Sequence, residues 1–190
     1  MKEYPVNDNP TGVLCIDAGF ANCGWVVIQN NKITGGGVIS TKKSDKKTKV
    51  RVADDDVRRC QETFQALYAL YLDPKYNIKY MMVELPSSGG KSSRAVAGMA
   101  RAQAVVACLT QVTNLPTEWI TPRDLKIAVC NSASASKEDV QAAIMKWHPE
   151  MKKYLPRATT KHEHIADSVG AFVASENSQL GRLVRNEWGV

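Results

Sequence analysis

VLCIDAGFANCGWVVIQNNKITGGGVIS, residues Val13 to Ser40, decides the fold. It holds three short apolar runs: VLCID (Val13 to Asp17), CGWVVIQ (Cys23 to Gln29) and GGGVIS (Gly35 to Ser40). AGFAN and NNKIT, both suited to turns, separate them. Connections this short join antiparallel neighbours, so an antiparallel three-strand meander is expected. Downstream, strands alternate with helices: a helix over DDDVRRCQETFQALYALYLD, a buried strand YMMVE (Tyr80 to Glu84), a helix over RAVAGMARAQAVVACLTQV, and a strand TEWI (Thr117 to Ile120). TPRD and SKED then open two helices, with Thr121 and Ser136 as N-caps, and a final helix begins near Thr160. This order predicts an α/β fold: a mixed sheet of the meander plus parallel strands, the first strand central, with helices packed on it.

At 190 residues and 44% hydrophobic content, one domain can bury a core without metal or disulfide staples. The expectation is a single domain over 1–190, with a core at about 13–175 and a tail over 176–190. No apolar run approaches the roughly 18 to 20 residues of a membrane helix, and the start MKEYPVNDNPTG lacks a signal-peptide core, so a cytoplasmic protein without a membrane partner is expected. Cys15, Cys23, Cys60, Cys108 and Cys130 show no C-x-x-C and read as reduced, mostly buried thiols. Net charge is +6, and TKKSDKKTKVR (Thr41 to Arg51) alone carries six Lys/Arg against one Asp. That is the footprint of a polyanion binder or of a solubilising loop.

On the first helix Val57, Cys60, Phe64, Leu67, Tyr68 and Tyr71 share the face predicted to be buried. The three Asp at its start read as partners of the helix dipole. On the next helix Arg94, Gly98 and Arg101 align, and Gly98 is expected to allow a close backbone approach.

Asp17 ends the first strand and Glu84 ends the fourth. Read alone, Asp17 fits an Asx-type turn and Glu84 a salt bridge. If the two strands are parallel neighbours, their carboxylates emerge together where ligands bind in open sheets. In KHEHIADSVGAF, Ile165, Val169 and Phe172 form an apolar stripe, which leaves His164 and Asp167 on the other side with Lys161 and Ser168. His162 and Glu163 are expected to face solvent, Glu163 being a lesser candidate ligand. His148, beside Pro149, reads as a dipole partner at a helix end. Should Asp17, Glu84 and Asp167 converge with the His164 imidazole, the hard carboxylate oxygens suit Mg²⁺, with Mn²⁺ as a substitute. Two such ions roughly 3.5 to 4 Å apart are a standard device for phosphodiester displacement.

These residues resemble the RuvC family of Holliday-junction resolvases, within the RNase H-like nuclease superfamily. VLCIDAGFANCGWVVI looks like the family's first hairpin, and VELPSSGGKSSRAVAGMARAQAVV like its strand-ending Glu, variable loop and Ala-Arg helix. ITPRDLKIAVCNSASASKEDVQAAIM resembles its Thr-Pro-Arg helix, linker and Lys-x-x-Val-Gln helix, and HIADSVGAFVA its C-terminal acid helix. The resemblance runs from about Val13 to Ala174. It implies an RNase H-like fold, helices on both sheet faces, and a Mg²⁺-dependent endonuclease that cuts branched DNA as a homodimer, in a bacterial or phage-infected cell. It also implies that Asp17 serves both of two metals, that Glu84 holds one of them, and that Asp167 and His164 serve the other. His164 is then either a ligand or a base for the attacking water. Lys126 and Lys137 would stand near the scissile phosphate, with Lys126 among the catalytic groups. Lys91, Arg94 and Arg101 would be further DNA contacts, Arg101 with a structural alternative. Lys46 and Lys47 join them on charge.

The chain departs from the family in Leu85, Pro86, Ser87 and Ser88, where some members carry a base-stacking aromatic, and in the linker CNSASAS. A relaxed-specificity debranching nuclease of phage type is therefore an alternative. The rivals are a junction-binding module without cleavage, an actin-like kinase, for which one domain is too small, and a zinc protein using His162, His164 and cysteines.

Overall fold

Four consecutive apolar residues, Val13 to Ile16, fill the middle of strand β1 (Gly12–Asp17) and are fully buried on both sides. In the computed structural model, which describes residues 9–86 and 92–190, β1 is the central strand of a five-stranded sheet. β2 (Asn22–Gln29) and β3 (Lys32–Ser40) complete the antiparallel meander, and β4 (Ile78–Glu84) and β5 (Thr117–Ile120) lie parallel on the other side, in the order β3-β2-β1-β4-β5. The turn between β2 and β3 is tighter than NNKIT suggests. Asn30 and Asn31 alone make it, with φ of 49° and 59°, so β3 starts at Lys32 rather than Gly35. Asparagine tolerates the left-handed region that a two-residue hairpin demands at both positions.

Helices cover both faces. α1 (Val52–Leu72) and α2 (Ser93–Thr113) bury Leu67, Val106 and Leu109 against Leu14, Ile16, Met81 and Val83. On the opposite face, α3 (Pro122–Cys130), α4 (Lys137–Trp147) and α5 (His162–Ser175) bury Leu125, Val129, Ile144, Ile165 and Phe172 against Val13, Cys15, Val26 and Met82. The caps are those expected: Thr121 accepts from the Asp124 amide, and Ser136 with Asp139 forms a reciprocal capping box. Residues 176–190 are not loose, since α6 (Gln179–Trp188) buries Val184 and its Trp188 indole donates to the Thr11 carbonyl at 2.8 Å.

Several expectations fail at α1 and α2. Val57 is 57% exposed, whereas Asp55, Asp56, Arg59, Thr63 and Leu67 are buried. The first turns of α1 lie against arginines of α2 and the backbone after β1, so charged residues with partners go inside and a valine stays out. Asp56 takes Arg94 at 3.3 Å, Arg101 at 3.4 Å and Arg59 at 3.8 Å, which makes it a buried anchor rather than a dipole partner. Asp55 is likewise tied to Arg58 and Ser44, while exposed Asp54 pairs with Arg51. A Cβ on Gly98 would stand 3.4 Å from the Phe20 ring, an ordinary contact, so no close approach depends on that glycine. α2 does reach the length and mean hydropathy of a membrane span, 1.3 over 18 residues, because alanines and valines outweigh its arginines. Only Cys15 and Cys23 of the five thiols are buried; Cys108, on the outer face of α2, is exposed.

Candidate active site

Strand parity puts the two strand-ending acids on one side of the sheet. Asp17 follows Val13 and Cys15, and Glu84 follows Tyr80 and Met82, all in the core beneath α5. The parallel register sets Asp17 directly beside Glu84. The buried stripe of Ile165, Val169 and Phe172 holds α5 on the same face and turns Asp167 toward them. Ligand oxygens of Asp17, Glu84 and Asp167 all lie within 4.8 Å of one another.

α5 comes this close because Gly24, paired with Asp17 in the β1–β2 register, has no side chain. A Cβ there would meet the His164 carbonyl at 2.1 Å. Ser168 then ties helix to strand: its Oγ donates to the His164 carbonyl at 2.7 Å and accepts from the Asp17 amide at 3.2 Å. Neither role is readable from the sequence, where Gly24 is one residue of the CGWVVIQ strand and Ser168 a polar helix position.

The cluster is short of positive charge. Burial pushes the Glu84 carboxyl well above the usual carboxylate range, and the charges of Asp167 and Asp17 push it further, against a smaller pull from Lys137 and Lys126. Asp167 is raised by burial and then by Asp17. His164 is not one of the three clustered ligands. Its Nδ1 lies 2.6 Å from Asp17 Oδ2, and that hydrogen bond raises the imidazole's proton affinity despite burial. Crowded carboxylate oxygens with raised proton affinity fit a divalent cation, and their hardness favours Mg²⁺ or Mn²⁺ over zinc. Among the described residues no cysteine joins this group.

The three acids and His164 line a cleft of about 330 Å³ with Gly19, Met99, Lys126 and Lys137. Lys137 Nζ meets Glu163 at 2.6 Å, so Glu163 is half-buried and paired rather than turned to solvent. His162 is half-buried as well, with Nε2 2.9 Å from the Pro156 carbonyl. His148 is buried at the end of α4 and pairs with Glu150 through Nδ1 at 3.1 Å. Arg94 and Arg101 lie outside the cleft on Asp56, half-exposed. Lys47 is exposed between β3 and α1; Lys91 and the Lys46 side chain lie outside the described residues. A larger cleft of about 540 Å³, between the β2–β3 turn and the ends of α4 and α5, contains His148 and Trp147 but none of the clustered acids.

The family profile described as "Crossover junction endodeoxyribonuclease RuvC" matches residues 13–171. No curated protein sequence matches the chain. Among solved structures, Thermus thermophilus RuvC in complex with a Holliday junction substrate superposes with a TM-score of 0.61 at 18% identity, covering 86% of this chain and 91% of that one. A second Thermus thermophilus RuvC structure gives 0.61 at 17%, covering 94% and 96%. The yeast mitochondrial Holliday junction resolvase Ydc2 gives 0.58 at 15%, covering 95% and 81%. At these identities the likeness is one of fold, the RNase H-like fold. With the profile spanning both acid-bearing strands and α5, the chain belongs to the RuvC family.

Proposed function

We propose that this protein is a structure-selective endonuclease that cuts branched DNA, four-way junctions above all, by metal-dependent phosphodiester hydrolysis. The observation that carries the reading is the convergence of Asp17, Glu84 and Asp167 within 4.8 Å at the carboxyl ends of two parallel strands, in a chain of the RuvC family. These carboxylates would hold two Mg²⁺ ions, for which Mn²⁺ substitutes. Bound there, the metal would lower the pKa of water and offset charge on the scissile phosphate.

The protein's own groups have separable tasks. Asp17, shared between the cluster and His164, is fixed from both sides, by Ser168 at its amide and by the imidazole at its carboxylate. His164 holds a proton at Nδ1 against Asp17, which orients that carboxylate and makes the ring a proton reservoir beside the cleft. Lys126 and Lys137 line the same cleft, where an entering phosphate would meet both cations. DNA would displace Lys137 from Glu163. Arg94, Arg101, Lys47, Lys46 and Lys91 would add backbone contacts. The chain acts as one nuclease domain over its whole length, works as a homodimer to place a cut on each of two strands, and serves in the cytoplasm of a bacterial or phage-infected cell.

The test is a labelled four-way junction with Mg²⁺ and wild-type or Asp17→Asn protein. Paired symmetric nicks from the wild type alone are expected; equal nicking by Asp17→Asn would overturn the assigned site, and binding without nicking would leave a junction-binding module. Leu85, Pro86, Ser87 and Ser88 offer no aromatic for base stacking, which favours relaxed sequence specificity. Cutting of three-way junctions and flaps at varied sequences is then expected, and confinement to one sequence in mobile four-way junctions would refute it.

A further inference from the structure

We infer that the segment between β3 and α1 is a second, preshaped phosphate-binding surface that carries the DNA arm leaving the active-site cleft. The inference rests on the proposed action on branched DNA and adds where the arm lies. Lys42, Lys43, Lys47 and Lys49 are all exposed, and none of them pairs with a carboxylate among the described residues. Like charges held this densely repel one another in the free protein, and a polyanion relieves that repulsion.

The segment is held in shape from below. Buried Asp55 accepts from the Ser44 amide at 3.2 Å, the Ser44 hydroxyl at 2.6 Å and Arg58 at 2.7 Å, and the same guanidinium donates to the Lys42 carbonyl at 2.7 Å. Asp45 caps the short 3₁₀ turn Lys46–Thr48 by accepting from the Lys47 amide at 3.1 Å, and Lys49 ends that turn in the left-handed region. A surface ordered before binding loses less entropy on binding. Beside it a hollow of about 230 Å³ is lined by Lys43, Lys49 and Arg94 together with Asp45 and Asp55, the latter already taken by Ser44 and Arg58, so the segment and the start of α2 meet at one hollow.

Its position links it to the cleft. Gly19 lines the cleft, and the next residues, Phe20 and Ala21, offer their carbonyls to the Thr41 hydroxyl at 2.9 Å and the Thr41 amide at 3.0 Å. Buried Arg59 donates to Thr41 Oγ1 at 3.0 Å and stacks on the Phe20 ring at 4.0 Å. The basic segment therefore begins against the turn that follows Asp17, so a duplex with one phosphate at the acids can continue past that turn onto the lysines.

The experiment measures equilibrium binding to four-way junctions with short and with long arms, over a salt series, with Ca²⁺ in place of Mg²⁺. In the variant with Lys42, Lys43, Lys47 and Lys49 all changed to Ala, affinity for long arms is expected to fall about tenfold or more. The slope of log affinity against log salt should shrink by about 0.9 for each lysine that meets a phosphate. The penalty should grow with arm length. Asp55→Ala and Asp54→Ala each remove one negative charge, but only Asp55 holds the segment's backbone, Asp54 binding the exposed Arg51 side chain alone. Asp55→Ala is expected to lower long-arm affinity by about threefold, the effect of lost preorganisation, while Asp54→Ala does not. A lysine penalty equal at every arm length, or no penalty, overturns the inference. So does a rise in affinity alike in both aspartate variants. If Asp55→Ala does not fold, the arm-length series still decides. Wild-type protein that binds no junction would overturn the proposed function as well; every other adverse result overturns this inference alone.

Discussion

Two groups of three acids in this chain meet opposite fates. Asp54, Asp55 and Asp56 are contiguous and each has its cation: Arg51, Arg58, and a set of three arginines around Asp56. Asp55 is held down to about 2, by hydrogen bonds from Ser44 first and Arg58 second. Asp17, Glu84 and Asp167 come from three distant segments, and among the described residues no lysine or arginine ion-pairs with any of them. Burial and mutual repulsion raise the proton affinity of Glu84 and Asp167 instead. The compensated acids join α1 to its surroundings, whereas the uncompensated ones favour a cation from solution. Adjacency in sequence is no guide to which acids are left open to a cation; the supply of countercharge is.

The contrast can be broken most sharply at Glu84. Glu84→Gln should cut cleavage by about 10²–10³-fold, the scale lost when a charge-stabilising group is removed. The same change should raise the melting temperature of metal-free protein. With its folded-state pKa raised, Glu84 contributes stability in full below the ordinary glutamate range, and that contribution is lost as pH rises through its folded value. A neutral Gln keeps the contribution, so the gain should be larger at about pH 8 than at about pH 4. Mg²⁺ should stabilise wild-type protein more than the variant.

Asp56→Ala should do the reverse. It strands buried Arg59, 4% exposed, and is expected to cost about 3–5 kcal/mol in urea unfolding, while added Mg²⁺ still raises the melting temperature. A stabilised Asp56→Ala protein would erase the distinction between the two groups. Gly24→Ala sits between them in effect. The new Cβ must push the His164 backbone off β2, at about 1–3 kcal/mol, and cleavage should fall with stability because α5 carries Asp167. The smallest effect is expected for Ser168→Ala. Loss of its link costs about 1–2 kcal/mol. The Mg²⁺ concentration needed for half-maximal cleavage should rise by about tenfold, as for other groups that orient ligands. An unchanged Mg²⁺ requirement would reduce Ser168 to a packing residue.

The fold was largely legible in the sequence because strands buried on both faces leave unbroken apolar runs such as VLCI, and because capped helices announce their starts at Thr121 and Ser136. The acids at the ends of β1 and β4 were legible for the same reason, since a carboxylate closing an apolar strand stands out. The phase of α1 was not. Apolar periodicity favours Val57, but Arg59 and Asp56 find partners on other segments, and those partners decide what is buried. The hold of Asp56 on Arg94 and Arg101 was illegible on the same account, for no local pattern shows that an aspartate some forty residues earlier pairs with both. Gly24 and Ser168 matter through the approach of α5 to β2, a distance no spacing rule encodes.

The assembly of one site from β1, β4 and α5 also bears on timing. During synthesis the chain emerges from its N-terminus, and domains fold as units once enough of them is available. The strands that carry Asp17 and Glu84 can pair early, but Asp167 is supplied by α5, much later in the chain. A nascent or prematurely ended chain therefore holds an incomplete acid cluster until α5 has docked on the sheet.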